Sequence, residues 1–458
     1  MSLEDARRQE SAQAELPLEY RGEASNGLGS GESSSVIMWN GRLGTDRLME
    51  EVVGHANTER ALKRVRKNKG SPGIDGMTVD ELPKHLAEHW GVLRAQLLAG
   101  TYQPKPVRRH EIEKAGGGVR TLGIPVVLDR FIQQAILQVL QPRFDPTFSK
   151  HSYGFRPGKS AHEAVIAARN FIQEGRRWVV DIDLEKFFDR VNHDVLMGRL
   201  AKRVTDKRLL GLIRRYLEAG MMADGVVTER EEGTPQGGPL SPLMANVLLD
   251  EVDKELEKRG HAFARYADDC NVYVRSRRAG ERVMESLRRL YAGLRLKVNE
   301  SKSAVDCPWN RKFLGYSFMW PQEGTVKIRV ANQAIKVMKE RVRQITRRTG
   351  GQSMRSVAAG LRVYLRGWKA YFHLAETPSV FIRLDGWIRH RLRAVQLRQW
   401  KRGRTAYRKL RALGLSDRAA KKAAAQVRHW WKTSWTEAVH IALPPTYFDA
   451  LKVPRLAA

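Results

Sequence analysis

The chain has 458 residues, 42% of them hydrophobic, which is ample for folded cores and for two to four domains at roughly 100–200 residues each. Its 81 Lys and Arg against 50 Asp and Glu give a net charge of +31, an excess that repels itself unless a polyanion neutralises it, so nucleic acid is the expected partner ahead of an anionic membrane. No stretch approaches the roughly 20 apolar residues of a membrane helix, the polar, acid-containing N-terminus is no signal peptide, and two cysteines, Cys270 and Cys307, exclude a disulfide framework or a Cys-based zinc site; a cytoplasmic chain is expected.

Residues 1–44, rich in Gly, Ser and Glu, read as a flexible leader. Regular structure is predicted from Thr45, with one helix running to Gly70, then a Gly/Pro loop and a second helix stopped by Gly100. VRRHEIEKAGGGVRTLGIP offers Arg108, Lys114 and Arg120 on two strands joined by a Gly-rich turn, which lacks the spacing and Gly-Lys-Ser/Thr ending of a P-loop. DRFIQQAILQVLQPRFD is a further helix. RRWVVDIDLEKFF has the β-branched and aromatic content of a buried strand. FARYADDCNVYVRS alternates on both sides of an acidic pair, predicting a β-hairpin with Asp268 and Asp269 at its tip.

Beyond about Asn332 strand character gives way to Arg-rich helices with interleaved Trp and Tyr. From Val326 onward there are 30 Lys/Arg against 6 Asp/Glu, so 30 − 6 = +24 of the +31 lies there. Trp368, Trp387 and Trp400 are expected in a core, while other aromatics could stack on unpaired bases. The predicted class is α+β: a mixed body followed by an all-helical basic region.

Carboxylates at a hairpin tip, facing a third acid at a neighbouring strand end, would make an oxygen site suited to Mg²⁺. Five segments occur in an order that sharpens this: VVDIDLEKFFDRVNHD, EEGTPQGGPLSPLMANVLLD, RYADDCNVYV, LKVNESKSAV and FLGYSF. Together they resemble bacterial group II intron-encoded reverse transcriptases and maturases, from about Thr45 almost to the C-terminus. The resemblance implies a right-hand polymerase with fingers and palm over 45–330, a helical thumb and maturase region over 331–400, and a basic DNA/RNA-binding region over 401–458. Many relatives end in a His/Cys-rich endonuclease domain; with no cysteine after Cys307, this chain resembles the endonuclease-less, class C type.

The resemblance also implies roles. In-line attack of a primer 3′ hydroxyl on a nucleotide uses two Mg²⁺ ions, roughly 3.5–4 Å apart in such sites. Asp183, Asp268 and Asp269 would hold them, with the backbone carbonyl of Leu184. Asp183 is preferred because Phe188 lies five residues on, followed by Asp189; Asp181 shares its strand face and stays open as an outer acid. Phe188 would be the steric gate against a ribose 2′ hydroxyl. Arg108, Lys114 and Arg120 would clamp the triphosphate. Gln236 would read near the templating pair, Gly237 would admit close backbone approach, and Lys302 would stand near the leaving pyrophosphate. The implied partners are dNTPs, an RNA template–DNA primer duplex, group II intron RNA and target DNA, where the protein would be nucleoid-associated; monomer or dimer is left open. Two rival readings are an RNA-folding maturase that has lost polymerase activity and a domesticated reverse transcriptase in defence or DNA repair.

Overall fold

The computed structural model describes residues 47–113, 119–223, 226–228, 232–234, 237–320, 324–347 and 351–457. The chain forms two compact units, one ending at Cys307 and the other beginning at Pro308.

The first unit opens with α1 (Leu48–Val52), α2 (His55–Asn68) and α3 (Leu82–Ala99). The single helix expected up to Gly70 is thus two, because Gly54 takes an extended backbone (φ −62°, ψ 141°), a conformation glycine reaches at little steric expense. Gly100 closes α3 in the left-handed region at φ 70°, as its position suggested. β1 (Val107–Glu113) and β2 (Val119–Ile124) pair antiparallel. α4 (Val127–Phe144) follows, then α5 (Ala161–Gln173), whose start is fixed by a capping box between Ser160 and Glu163.

β3 (Trp178–Ile182) leads to α6 (His193–Ala201) and α7 (Lys207–Glu218). β4 (Met221–Ala223) and β5 (Val226–Thr228) complete a four-stranded sheet ordered β2-β1-β4-β5. After α8 (Ser241–Lys258) come β6 (Ala262–Tyr266), β7 (Asp269–Val274), α9 (Arg277–Gly293) and β8 (Ala304–Asp306). The second sheet, β6-β7-β3-β8, is antiparallel throughout, with β3 hydrogen-bonded to both β7 and β8. Helices α5, α8 and α9 pack on it. Its interior strands are therefore almost continuously buried: Val179, Val180 and Ile182 on β3, Cys270 and Val272 on β7.

The second unit begins with an antiparallel hairpin, β9 (Tyr316–Met319) and β10 (Lys327–Val330), and continues in helices: α10 (Asn332–Ile345), α11 (Met354–Tyr371), α12 (Pro378–Trp400), α13 (Gly403–Ala412), α14 (Asp417–Ala425), then shorter ones to Ala450. Trp368 and Trp400 are buried. Trp387 is half-buried, ringed by Lys339, Arg343 and Arg391 at 5.7, 5.8 and 5.5 Å from its ring centre. Three arginines of α12 turn inward: Arg389 donates to Asp449 (3.2 Å), Arg391 to the Thr346 hydroxyl (2.7 Å) and Arg393 to the Leu443 carbonyl (2.9 Å). Among the described residues no helix is long and apolar enough to cross a membrane.

Candidate active site

The carboxylates gather where β3 meets the β6–β7 hairpin. The last registered pair is Ile182 with Cys270, and one step further along both strands sets Asp183 across from Asp269. Directly opposed residues of an antiparallel pair have Cβ atoms about 5 Å apart, and like charges there repel unless a cation stands between them. Asp181 lies two residues back, opposite Asn271; with its amide nitrogen turned toward the acid, as the hydrogen-bond pattern requires, Asn271 donates to Asp181 Oδ1 at 2.9 Å. The register thus places Asp181 opposite Asn271 and Asp183 one step beyond the last registered pair, level with Asp269.

Asp268 occupies the two-residue turn and Asp269 starts β7, closing the hairpin opposite Tyr266. The turn is tight: Ala267 sits in the left-handed region at φ 57°, at roughly 1–2 kcal/mol for a residue with a Cβ. Gly154 lies against its back, where a Cβ would come within 2.3 Å of the Ala267 nitrogen.

Asp183 is held by the segment before β8. Its amide donates to the Ser303 hydroxyl (3.0 Å), and its carbonyl accepts from the Asn299 amide (2.8 Å). Leu184 bridges to Val298, and the Lys302 ammonium stands 3.4 Å from Asp183 Oδ2. A cation thus already offsets one carboxylate at this strand end. Among the described residues no three His, Cys, Asp or Glu stand close enough to hold a metal unaided. That is compatible with Mg²⁺, which is usually held by one or two carboxylates together with substrate phosphates, and the donor set fits it because it is all oxygen.

Phe188, in a short 3₁₀ turn (Phe187–Asp189) just after β3, is partly buried with its ring 5.1 Å from that of Phe187. Arg108 lies on β1 and Arg120 on β2, while Lys114 and Gln236 fall outside the described residues. Gly237 has φ 134°, and a Cβ there would meet the Gly123 carbonyl of β2 at 2.8 Å. Its close neighbour in this structure is a protein backbone, an approach the sequence did not disclose.

Residues 112–318 match the family described as reverse transcriptase (RNA-dependent DNA polymerase), and residues 335–414 match the group II intron, maturase-specific domain. Protein YkfC of Escherichia coli (strain K12) is 33% identical over a stretch covering 52% of this chain and 73% of its own length. The chain belongs to the group II intron-encoded reverse transcriptases.

Group II intron-encoded protein LtrA of Lactococcus lactis subsp. cremoris is 36% identical over 42% of this chain, a match that spans only 32% of LtrA. Among solved structures, the partial Cas6-RT-Cas1--Cas2 complex aligns at 28% identity and a TM-score of 0.36, covering 54% of this chain and 42% of that one. The α+β architecture is that of the reverse-transcriptase family, whose members use a divalent metal.

Several residues of this reverse transcriptase's site were not singled out in the sequence. Ser303 and Asn299 hold Asp183 through its backbone, a role ordinary serines and asparagines do not advertise. Thr234 and His193 hold the turn bearing Phe188: the Thr234 amide donates to the Phe188 carbonyl (2.7 Å), and His193 Nε2 bonds the Gly233 carbonyl (2.7 Å). Arg265, next to the Tyr-Ala-Asp-Asp segment, is completely buried. An arginine beside a strand run of Phe, Ala and Tyr was the available signal.

Proposed function

We propose that this chain is an RNA-directed DNA polymerase that also binds its group II intron RNA as a splicing maturase and supports intron mobility by target-primed reverse transcription. The observation that carries this reading is the β3–β7 pairing, whose last registered pair, Ile182 with Cys270, is flanked by Asp183 on one strand and Asp269 on the other, with Asp268 in the adjoining turn. Asp183, Asp268, Asp269 and the Leu184 carbonyl would hold two Mg²⁺ ions. When bound, these would lower the pKa of the primer hydroxyl and neutralise phosphate charge.

The chain's own groups do the positioning. Arg108, Lys114 and Arg120 clamp the triphosphate, Phe188 fills the space a 2′ hydroxyl would need, and Gln236 and Gly237 line the path of the templating base. Lys302, which pairs with Asp183 at 3.4 Å, would face the departing pyrophosphate. In the second unit the cationic helices grip RNA and DNA phosphates. Trp431 and Trp435, 39% and 59% exposed and packed around His390, offer ring faces to unpaired bases.

Primer extension on an RNA template with dNTPs and Mg²⁺ tests the chemistry. Wild type extends, and Asp268→Ala with Asp269→Ala abolishes extension; extension surviving in that double variant would sink the site. The RNA that copurifies with the chain tests the maturase role, with a structured group II intron as the expected species.

A further inference from the structure

Arg265 on β6 is 0% exposed, and all five of its guanidinium N–H groups have acceptors. Nε and one Nη2 hydrogen form a fork on Asp253, itself fully buried on α8. The other Nη2 hydrogen goes to the Ser152 hydroxyl at 2.7 Å. Nη1 donates to Asn246 Oδ1 at 3.0 Å and to the carbonyl of Ala267 at 2.8 Å. Asn246 passes its own amide hydrogen to the Gly154 carbonyl (2.9 Å), which closes a network over α8, residues 152–154 and the carboxylate hairpin. Burial alone would lower the Arg265 pKa, but the Asp253 carboxylate more than offsets this and holds it above its ordinary value.

The Ala267 carbonyl belongs to the peptide that joins the two central turn residues. In a two-residue hairpin this peptide has two orientations. One requires positive φ at the first central residue alone, the other at both. Here Ala267 is at φ 57°, and Asp268 is not among the positive-φ residues. Aspartate tolerates positive φ better than most side chains, so the local sequence leaves both turns open. A flip would reverse the sign of φ at Asp268 and swing its carboxylate away.

We propose that Arg265 is a positioning residue that locks the Ala267–Asp268 peptide in one orientation and thereby sets where the Asp268 carboxylate stands for metal. The inference rests on the reading of Asp268 as a metal ligand. Arginine is required because five donors in a planar fork serve Asp253, Asn246, Ser152 and the turn at once; lysine has three donors and no fork.

Arg265→Met combined with Asp253→Leu removes the buried pair without leaving an unpaired charge, an exchange that proteins often tolerate. With template–primer bound, calorimetric Mn²⁺ affinity should fall at least about fivefold, and kcat by about 10²-fold, as small displacements at reacting centres do. The KM for dNTP and the Kd for template–primer should stay within about threefold of wild type. Arg265→Lys should show the same split. Val252→Ala, a core truncation on α8, serves as a control for lost stability and should leave Mn²⁺ affinity and kcat near wild type. A folded double variant with wild-type Mn²⁺ affinity and kcat overturns the proposal, as does a Val252→Ala variant that reproduces both losses. If wild type extends no primer yet the double variant still binds Mn²⁺ more weakly, the polymerase reading fails while the positioning role stands.

Discussion

The amide of Thr234 donates a hydrogen bond to the carbonyl of Phe188 at 2.7 Å, and the Gly233 amide donates to Val191 at 2.8 Å. The turn that carries the proposed gate is therefore tied to the residues that lead into the Pro-Gln-Gly loop. The position of the Phe188 ring is set by backbone bonds on both sides, so shortening the side chain should open space without shifting the turn. Phe188→Ala is expected to raise ribonucleotide use relative to deoxyribonucleotide by about 10- to 100-fold, or about 1.4–2.7 kcal/mol of discrimination. Single-nucleotide incorporation with matched rNTP and dNTP series measures it. Unchanged sugar discrimination removes Phe188 from that role.

Gly154 lies against the Ala267–Asp268 turn. A methyl group there would meet the Ala267 nitrogen at 2.3 Å, and that atom is backbone in a strained turn, so it has little freedom to retreat. Gly154→Ala should therefore cost about 1–3 kcal/mol of stability, in the range of an overpacked core. It should also reduce extension at least about tenfold by moving Asp268, which follows Ala267 directly. Thermal melts and steady-state extension on one preparation separate the two effects. A stable variant with full activity would show that the turn yields.

What the sequence disclosed follows from how local the cause is. The β6–β7 hairpin, the helix stop at Gly100 and the helical region after Asn332 rest on short-range patterns, and the structure has them. The break at Val53–Gly54 went unread because one glycine inside a helical pattern is usually tolerated. The partners of Arg265 come from residues 152, 246, 253 and 267, which no spacing rule joins. The pairing of β3 with β7, which sets Asp181 opposite Asn271, is likewise a long-range fact.

Lys302 and Asp183 form an ion pair 3.4 Å long whose side chains are 64% and 41% exposed. Exposed pairs contribute little to stability, so Lys302→Ala should change the unfolding free energy by less than about 0.5 kcal/mol. Its effect should appear in chemistry: a kcat reduction of about 10- to 100-fold with little change in dNTP KM, as expected for a group that assists a leaving group. Pre-steady-state extension and denaturant unfolding report the two quantities. A wild-type rate in Lys302→Ala would leave the lysine as a surface residue.

Asp129 on α4 is 1% exposed, and burial raises its pKa from 3.8 to about 6 despite hydrogen bonds from Tyr102 (2.8 Å), the Lys105 amide (3.0 Å) and Tyr216 (3.1 Å). The native state therefore holds this proton more tightly than the unfolded chain does. Stability from this group is fully present below pH 3.8 and is lost as pH rises through about 6. The loss amounts to about 3 kcal/mol at 1.36 kcal/mol per pH unit. Asp129→Asn removes the titration, so the wild-type-minus-variant difference in unfolding free energy should fall between pH 4.5 and 7.5. Urea unfolding across that range measures it, and a constant difference contradicts the shift.

The charge of the second unit divides into two kinds, and salt dependence can tell them apart. Arg389, Arg391 and Arg393 are buried on α12 and spend donors on Asp449, Thr346 and Leu443, so they release few counterions when nucleic acid binds. Arg404 and Arg408 on α13 are exposed, and each phosphate they neutralise should add to the slope of log affinity against log salt by roughly 0.7–0.9. Arg404→Ala with Arg408→Ala should therefore flatten the slope by about 1.5 and weaken RNA binding at low salt most. Arg391→Met should lower stability while leaving the slope alone, because its Nε bond to Thr346 is internal. Trp435→Ala should weaken binding of unpaired RNA by about 1–3 kcal/mol at every salt concentration, as stacking rather than charge is lost. Filter-binding titrations from 50 to 200 mM salt (about twofold to either side of 0.1 M) resolve all three patterns. If the double arginine variant keeps the wild-type slope, the grip on phosphate lies on other helices of the unit.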